Sequence, residues 1–439
     1  MMRIWLVVVA LLGLEGQVQA QIGGTFTLER LAERDWRATY CFDEPVLALA
    51  FTRRGEGIRR SSWISAEDGL QLVFTGDQAK LQHPKNNLFS CAAVSFKTDT
   101  RIPEKNYMAF STFSDGGVSV YTGYLLGQVY KDGDWREMAL RASYKGLPED
   151  KVITRNPAVL GAQFVYFGKL AVRQTPAATL VIDPAMPSVA RLGVLSAVPR
   201  ANEMLKILFG YSPKEPYLVF MAAGELETSP SDHTKAGTQP YQILFTMKGK
   251  GAARWADSDP LYFPQFTMHE VVHIWQKDVW GDSFGPDTAW VDEGAADALS
   301  HEMMARTGAY RAEKYAAVWK GVESRCRLIL KETSIHGAAE AGRFDAFYQC
   351  GALINRLVGE ALNPVAPGEG LIDFWRAMME WDRETLASHK GEALFFLTMQ
   401  KLGLTNQQVV AVKNFLATKP ADPGKAISAL RLTLLGVGG

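Results

Sequence analysis

Apolar and polar residues alternate through the first part of the chain, as at Leu47, Leu49 and Phe51 and again at Val118 and Val120. A period of two puts successive side chains on opposite faces of a strand. Turn-forming clusters, Arg54-Gly55-Glu56-Gly57 and Ser114-Asp115-Gly116-Gly117, punctuate the pattern, and Leu180-Val181-Ile182 ends it as a continuous apolar run. From about Thr25 to Ile182 this predicts an all-β, sandwich-like module. After Pro184 and Pro187 the period changes. A short helix is predicted from Pro199 to Phe209, with Met204, Leu205 and Leu208 on one side and Gly210 beyond its end. Strands are predicted at Tyr217–Met221 and Tyr241–Met247. Beyond Pro264 nearly everything reads as helix, interrupted by a loop from Asn363 to Gly370 that holds Pro364, Pro367, Gly368 and Gly370. The fold class is therefore α+β, with a β-rich N-terminal domain over 21–185 and a mainly helical domain over 186–439.

Composition supports packed domains over disorder, with 47% hydrophobic and 21% charged residues. Basic and acidic side chains balance at 47 each, which leaves no net positive field to recruit nucleic acid or an acidic membrane surface. At the N-terminus, Arg3, the apolar run Ile4 to Leu14 and the small residues Val18 and Ala20 predict a secretory signal peptide over 1–20, cleaved after Ala20. The run is shorter than the ~20 residues of a spanning helix, so no stable membrane insertion is expected after cleavage. The expected location is periplasmic or secreted. Disulfides persist in such compartments. Pairing Cys41 with Cys91 and Cys326 with Cys350 keeps each bond within one domain, with free buried thiols as the alternative.

The chemistry concentrates in two helical segments. His269-Glu270-Val271-Val272-His273 lies in a run without Gly or Pro between Gln265 and Trp280, so both imidazoles fall on one helix face and can reach one ion. Glu270 is offset by one position, suited to act on a water without binding the metal. Glu293, about twenty residues beyond His273, is the candidate third ligand, and an open fourth position would mark a catalytic centre. Asp297 lies one helical turn after Glu293 and is placed to accept the second ring hydrogen of His269. The polar stretch Gly281 to Asp287 between the segments can reverse the chain. His301 is the remaining candidate for a fourth protein ligand.

These segments resemble the gluzincins, zinc peptidases with a glutamate third ligand, and in particular the aminopeptidase N family. His269-Glu270-Val271-Val272-His273-Ile274-Trp275 is similar to that family's HExxHxW, and Trp290-Val291-Asp292-Glu293-Gly294 to its WLNEG, with a spacer one residue longer. Tyr348-Gln349-Cys350-Gly351 resembles its YxKG, with Cys350 in place of Lys. The resemblance covers roughly residues 200–360. It implies a thermolysin-like helical zincin domain and one Zn2+ per chain on His269, His273 and Glu293. It further implies Glu270 as general base, Tyr348 as donor to the oxyanion, and a peptide substrate. It departs at the family's Gly-Ala-Met-Glu-Asn edge strand, whose Glu holds the substrate's free amine: the corresponding Lys235-Ala236-Gly237-Thr238-Gln239-Pro240 has no acid, and Glu225 and Glu227 are the acids nearby. The expectation is a zinc peptidase, exopeptidase or endopeptidase. The alternatives are a zinc-stabilised protein that captures peptides without cutting them and a zinc hydrolase of a non-peptide substrate.

Overall fold

Every second side chain is buried along Ile22–Arg30 and along Asp35–Val46 as far as Phe42, as a sheet with one packed face requires. In this computed structural model the described residues are 21–53, 57–65, 69–76, 78–103, 107–281 and 288–436. The predicted signal peptide, most of the predicted turn at 54–57 and the stretch 282–287 lie outside them.

The chain divides into two compact units. The first takes the described residues up to Ala109, then Tyr121–Pro148 and Asn156–Ala162. It is built on a nine-stranded sheet whose spatial order is Trp63–Ser65, Phe89–Lys97, Asp35–Val46, Ile22–Arg30, Asp134–Lys145, Gly127–Lys131, Ala48–Phe51, Gln78–Gln82 and Gln71–Thr75. Ile22–Arg30 and Asp134–Lys145 run parallel, and the other described pairings are antiparallel. Cys41 and Cys91 face each other across neighbouring strands and are bonded.

The second unit comprises Phe110–Val120, Glu149–Arg155 and Gln163 onward. A four-stranded sheet (Lys151–Ile153, Phe164–Gly168, Val118–Tyr121, Phe110–Thr112) accompanies a five-stranded one ordered Val172–Gln174, Ala178–Ile182, Tyr217–Ala222, Gln242–Lys248, His233–Gln239. In the five-stranded sheet the three central strands are parallel and almost wholly buried, and the two outer ones are antiparallel. Two buried polar side chains fasten these pieces. Asp183 accepts from the Ser114 amide at 2.8 Å, from the Ser114 hydroxyl, and from the Ala185 and Ala223 amides at 2.9 Å. The Gln242 amide meets the backbone N–H and C=O of Phe164 at 2.8 and 3.0 Å, as a strand neighbour would.

Two expectations are corrected. The predicted helix from Pro199 begins at Ser188 and runs to Phe209 with Pro199 inside it. Ala190, Gly193, Val194, Ala197 and Val198 bury the added turns, and a Cβ on Gly193 would lie 2.8 Å from Phe263. This packing outweighs the roughly 3 kcal/mol that an interior proline costs. The predicted loop over Asn363 to Gly370 ends early, because Pro367 opens the helix Pro367–Met379. Gly370 lies against the Gly359 carbonyl, 2.2 Å from an added Cβ, so this glycine permits close helix packing rather than a turn.

Candidate metal centre

Three helices of the second unit carry the site. The metal helix, Tyr262–Trp280, takes Pro264 in its first turn and stops at Gly281, whose φ is 58°. Phe263, Met268, Val271, Val272, Ile274 and Trp275 bury it on most sides, which fixes its rotation. The glutamate helix, Ala289–Arg306, presents Glu293 and Asp297. The tyrosine helix, Asp345–Leu362, presents Tyr348. The last two approach unusually closely through paired glycines: a Cβ on Gly294 would lie 2.3 Å from the Gly351 backbone, and one on Gly351 would lie 2.4 Å from the Trp290 carbonyl. The glycines of the two sequence motifs are thus one contact, and that contact brings Tyr348 to Glu293. A disulfide between Cys326, on the helix Ala312–Leu330, and Cys350 holds the tyrosine helix from its other side. Trp275 and Trp290 are packing walls with no exposed surface.

His269, His273 and Glu293 converge. His273 Nε2 lies 3.0 Å from His269 Nε2 and 3.0 Å from Glu293 Oε2, and His269 Nε2 lies 3.2 Å from the same oxygen. Ligand atoms of a tetrahedral centre with bonds of ~2.0–2.1 Å stand about 3.3 Å apart, so this triangle has the size for one small cation. Its chemistry fits too. Two imidazoles and one carboxylate form a group that can hold a metal ion, a donor set suited to zinc. Burial disfavours charge on both imidazoles, yet Asp297 and Glu293 raise the pKa of His269 well above its usual value, and Glu293 raises that of His273. Burial likewise works against the Glu293 carboxylate and is overcome by His273 and His269, which hold its pKa far below the usual range. The field at the centre therefore draws in positive charge.

Both imidazoles are gripped from behind, by unlike groups. His269 Nδ1 donates to Asp297 at 2.9 Å. His273 Nδ1 donates to the Gln276 side chain at 2.8 Å, and the other end of that amide donates to the Asp292 carbonyl at 3.0 Å. Each contact leaves Nε2 with its lone pair toward the centre. Gln276 also ties the metal helix to the residue before Glu293. Sequence reading missed it, although its position three residues after His273 is a signal that helical periodicity offers.

Glu270 is buried and accepts a hydrogen bond from the Thr238 hydroxyl on the edge strand His233–Gln239. The Thr238 carbonyl in turn accepts from Lys277 Nζ and from Gln239 Nε2. Tyr348 stacks on His269 with ring centroids 5.8 Å apart. The Glu293 charge, then burial, then Glu270 and Asp297 raise its pKa well above the ordinary value, so its hydroxyl keeps its proton. His301 is outside the ligand triangle. It packs against Tyr310 and Trp319, and burial lowers its pKa to about 4. Glu225 and Glu227 are engaged elsewhere, paired with Lys248 at 2.6 Å and Lys250 at 3.2 Å.

A helix-borne pair of histidines and a glutamate from the next helix form a group that could hold a metal ion, on a two-unit α+β chain. By sequence, the chain matches no protein-family model and no curated protein. By structure, it matches an aminopeptidase N family protein from Idiomarina loihiensis with a TM-score of 0.62 and 13% identity, over 91% of this chain and 76% of that one. It matches an M1 zinc metallopeptidase from Deinococcus radiodurans with a TM-score of 0.53 and 15% identity, over 92% and 95%. Yeast LTA4 hydrolase matches with a TM-score of 0.52 and 9% identity, over 93% and 70%. The fold is the one these proteins share. A mutant M1 zinc metallopeptidase from Deinococcus radiodurans is described bound to a Tyr-Ser-Ala substrate.

Proposed function

We propose that the chain is an exported zinc peptidase that holds one Zn2+ on His269, His273 and Glu293. The carrying observation is the 3.0, 3.0 and 3.2 Å triangle of ligand atoms with Glu270 beside it and outside it. Bound zinc would supply Lewis acidity for the scissile carbonyl and make an attacking water more acidic. The protein's own groups do the rest. Glu270, oriented by the Thr238 hydroxyl, takes the proton of the attacking water and delivers it to the leaving amine. Tyr348 donates its hydroxyl to the developing oxyanion. Asp297 and Gln276 keep both imidazoles in one tautomer. The edge strand, which ends its sheet among the described residues, can align an extended peptide as an added strand.

Export agrees with the two disulfides, and no described helix is long and apolar enough to cross a membrane. Glu270, which a purely structural zinc would not need, favours this reading over a non-catalytic binder. The test is mass-spectrometric analysis of a mixed peptide pool, with and without a chelator, for the native chain and Glu270→Gln. The expected result is chelator-sensitive cleavage and a variant that keeps zinc but loses about 10²–10⁴-fold in turnover. Unchanged turnover in the variant would refute the assignment.

A further inference from the structure

The two disulfides have opposite surroundings. Cys326 and Cys350 have no exposed surface. Cys91 is exposed and Cys41 only partly buried. The cause is the period of two along Asp35–Val46, which buries Trp36, Ala38 and Tyr40 and turns Arg37, Thr39 and Cys41 to the outward face. Cys41 opposite Cys91 is also the last pair of an unbroken register that starts at Asp35 with Lys97. Beyond it the register shifts, and Asp43, Glu44 and Pro45 are exposed.

A thiolate displaces a disulfide sulfur in line with the S–S bond, and access decides which sulfur it reaches. This bond crosses from one strand to the next. Past Cys41 stands Thr25, its register partner on the neighbouring strand Ile22–Arg30. Past Cys91, the next strand among the described residues, Trp63–Ser65, comes no nearer in register than Val94. We propose that Cys91 is a modification site for low-molecular-weight thiols. Their thiolate bonds to the Cys91 sulfur, the bond between Cys91 and Cys41 breaks, and Cys41 leaves with the electron pair and takes a proton from water. One disulfide replaces another, so this step involves no net oxidation or reduction. The strands stay joined without the bond. They remain paired from Asp35 with Lys97 to Tyr40 with Ala92, and the Trp36 indole still donates to the Thr98 hydroxyl at 2.9 Å.

To test it, the folded protein is treated with excess β-mercaptoethanol at mildly alkaline pH without denaturant. Samples are quenched with acid at intervals, alkylated with N-ethylmaleimide and mapped by mass spectrometry. The expected result is the mercaptoethanol adduct on Cys91, maleimide on Cys41, and the bond between Cys326 and Cys350 intact. The exposed bond should open at least about tenfold faster than the buried one, with the circular dichroism spectrum unchanged. Where Cys41 expels the adduct before quenching, two single variants decide the matter. Cys91 in Cys41→Ala is expected to react with the oxidised reagent, hydroxyethyl disulfide, at least about tenfold faster than Cys41 in Cys91→Ala. Modification chiefly at Cys41, opening of both disulfides at one rate, or exchange that begins only when urea unfolds the chain would overturn the proposal.

Discussion

The helical side of the candidate site and its strand side are built on opposite principles. On the helical side, the polar groups are largely buried and each is committed: Asp297 and Gln276 to the imidazoles, Tyr348 to Glu293. Paired glycines and a disulfide lock the supporting helices. On the strand side, the small residues Ala236, Gly237 and Thr238 lie on an edge strand, and Glu270 and Lys277, which meet Thr238, come from the metal helix. The first arrangement fixes a geometry and leaves little freedom to vary it. The second sets what can approach that geometry, and it can change without dismantling the centre.

Substitutions on the two sides should therefore differ in kind. Glu293→Ala removes a ligand and leaves two imidazoles facing each other, so zinc affinity should fall on the order of a thousandfold or more, read by competition with a chromogenic chelator. Tyr348→Phe should keep its zinc and lose about 10²–10³ in turnover, the usual cost of one oxyanion donor. Replacing Cys326 and Cys350 by Ala releases a loop spanning a sequence separation of 24. It should lower stability by roughly 3 kcal/mol, seen as a lower urea midpoint. Gln276→Leu should weaken zinc by ~10–100-fold with the fold intact, as for other groups behind a metal ligand. A Gln276→Leu variant with native zinc affinity would show that the grip on His273 is dispensable. The smallest change is expected on the strand side, where Thr238→Val should alter turnover less than about tenfold and leave zinc content unchanged. Zinc loss in that variant would dissolve the distinction between the two sides.

What could be read from the sequence follows the range of the interactions. His269, Glu270 and His273 are set by one helical turn, and Glu293 and Asp297 by another, so local periodicity suffices to group them. The buried strands Tyr217–Ala222 and Gln242–Lys248 are apolar enough to stand out. The edge strand His233–Gln239 is not. Its polar sequence is extended because Gln242–Lys248 pairs with it, and pairing leaves no periodic trace. Thr238 and Lys277 were invisible for the same reason, since their contact joins residues 39 apart. Pro199 misled because tertiary burial of the turn before it overrode a local rule. The glycines at 294 and 351 were legible as motif letters. Their mutual contact was not.

Successive segments alternate between the units, with changes after Ala109, Val120, Pro148, Arg155 and Ala162. The strands Phe110–Thr112, Lys151–Ile153 and Phe164–Gly168 thus belong to the unit that carries His269, His273 and Glu293. A fragment starting at residue 186 would lack Asp183, the Ser114 amide and hydroxyl that bind it, and Phe164, whose backbone meets the Gln242 side chain. No single proteolytic nick can release the unit that carries His269, His273 and Glu293 whole, and its assembly during synthesis must wait for segments separated by more than a hundred residues.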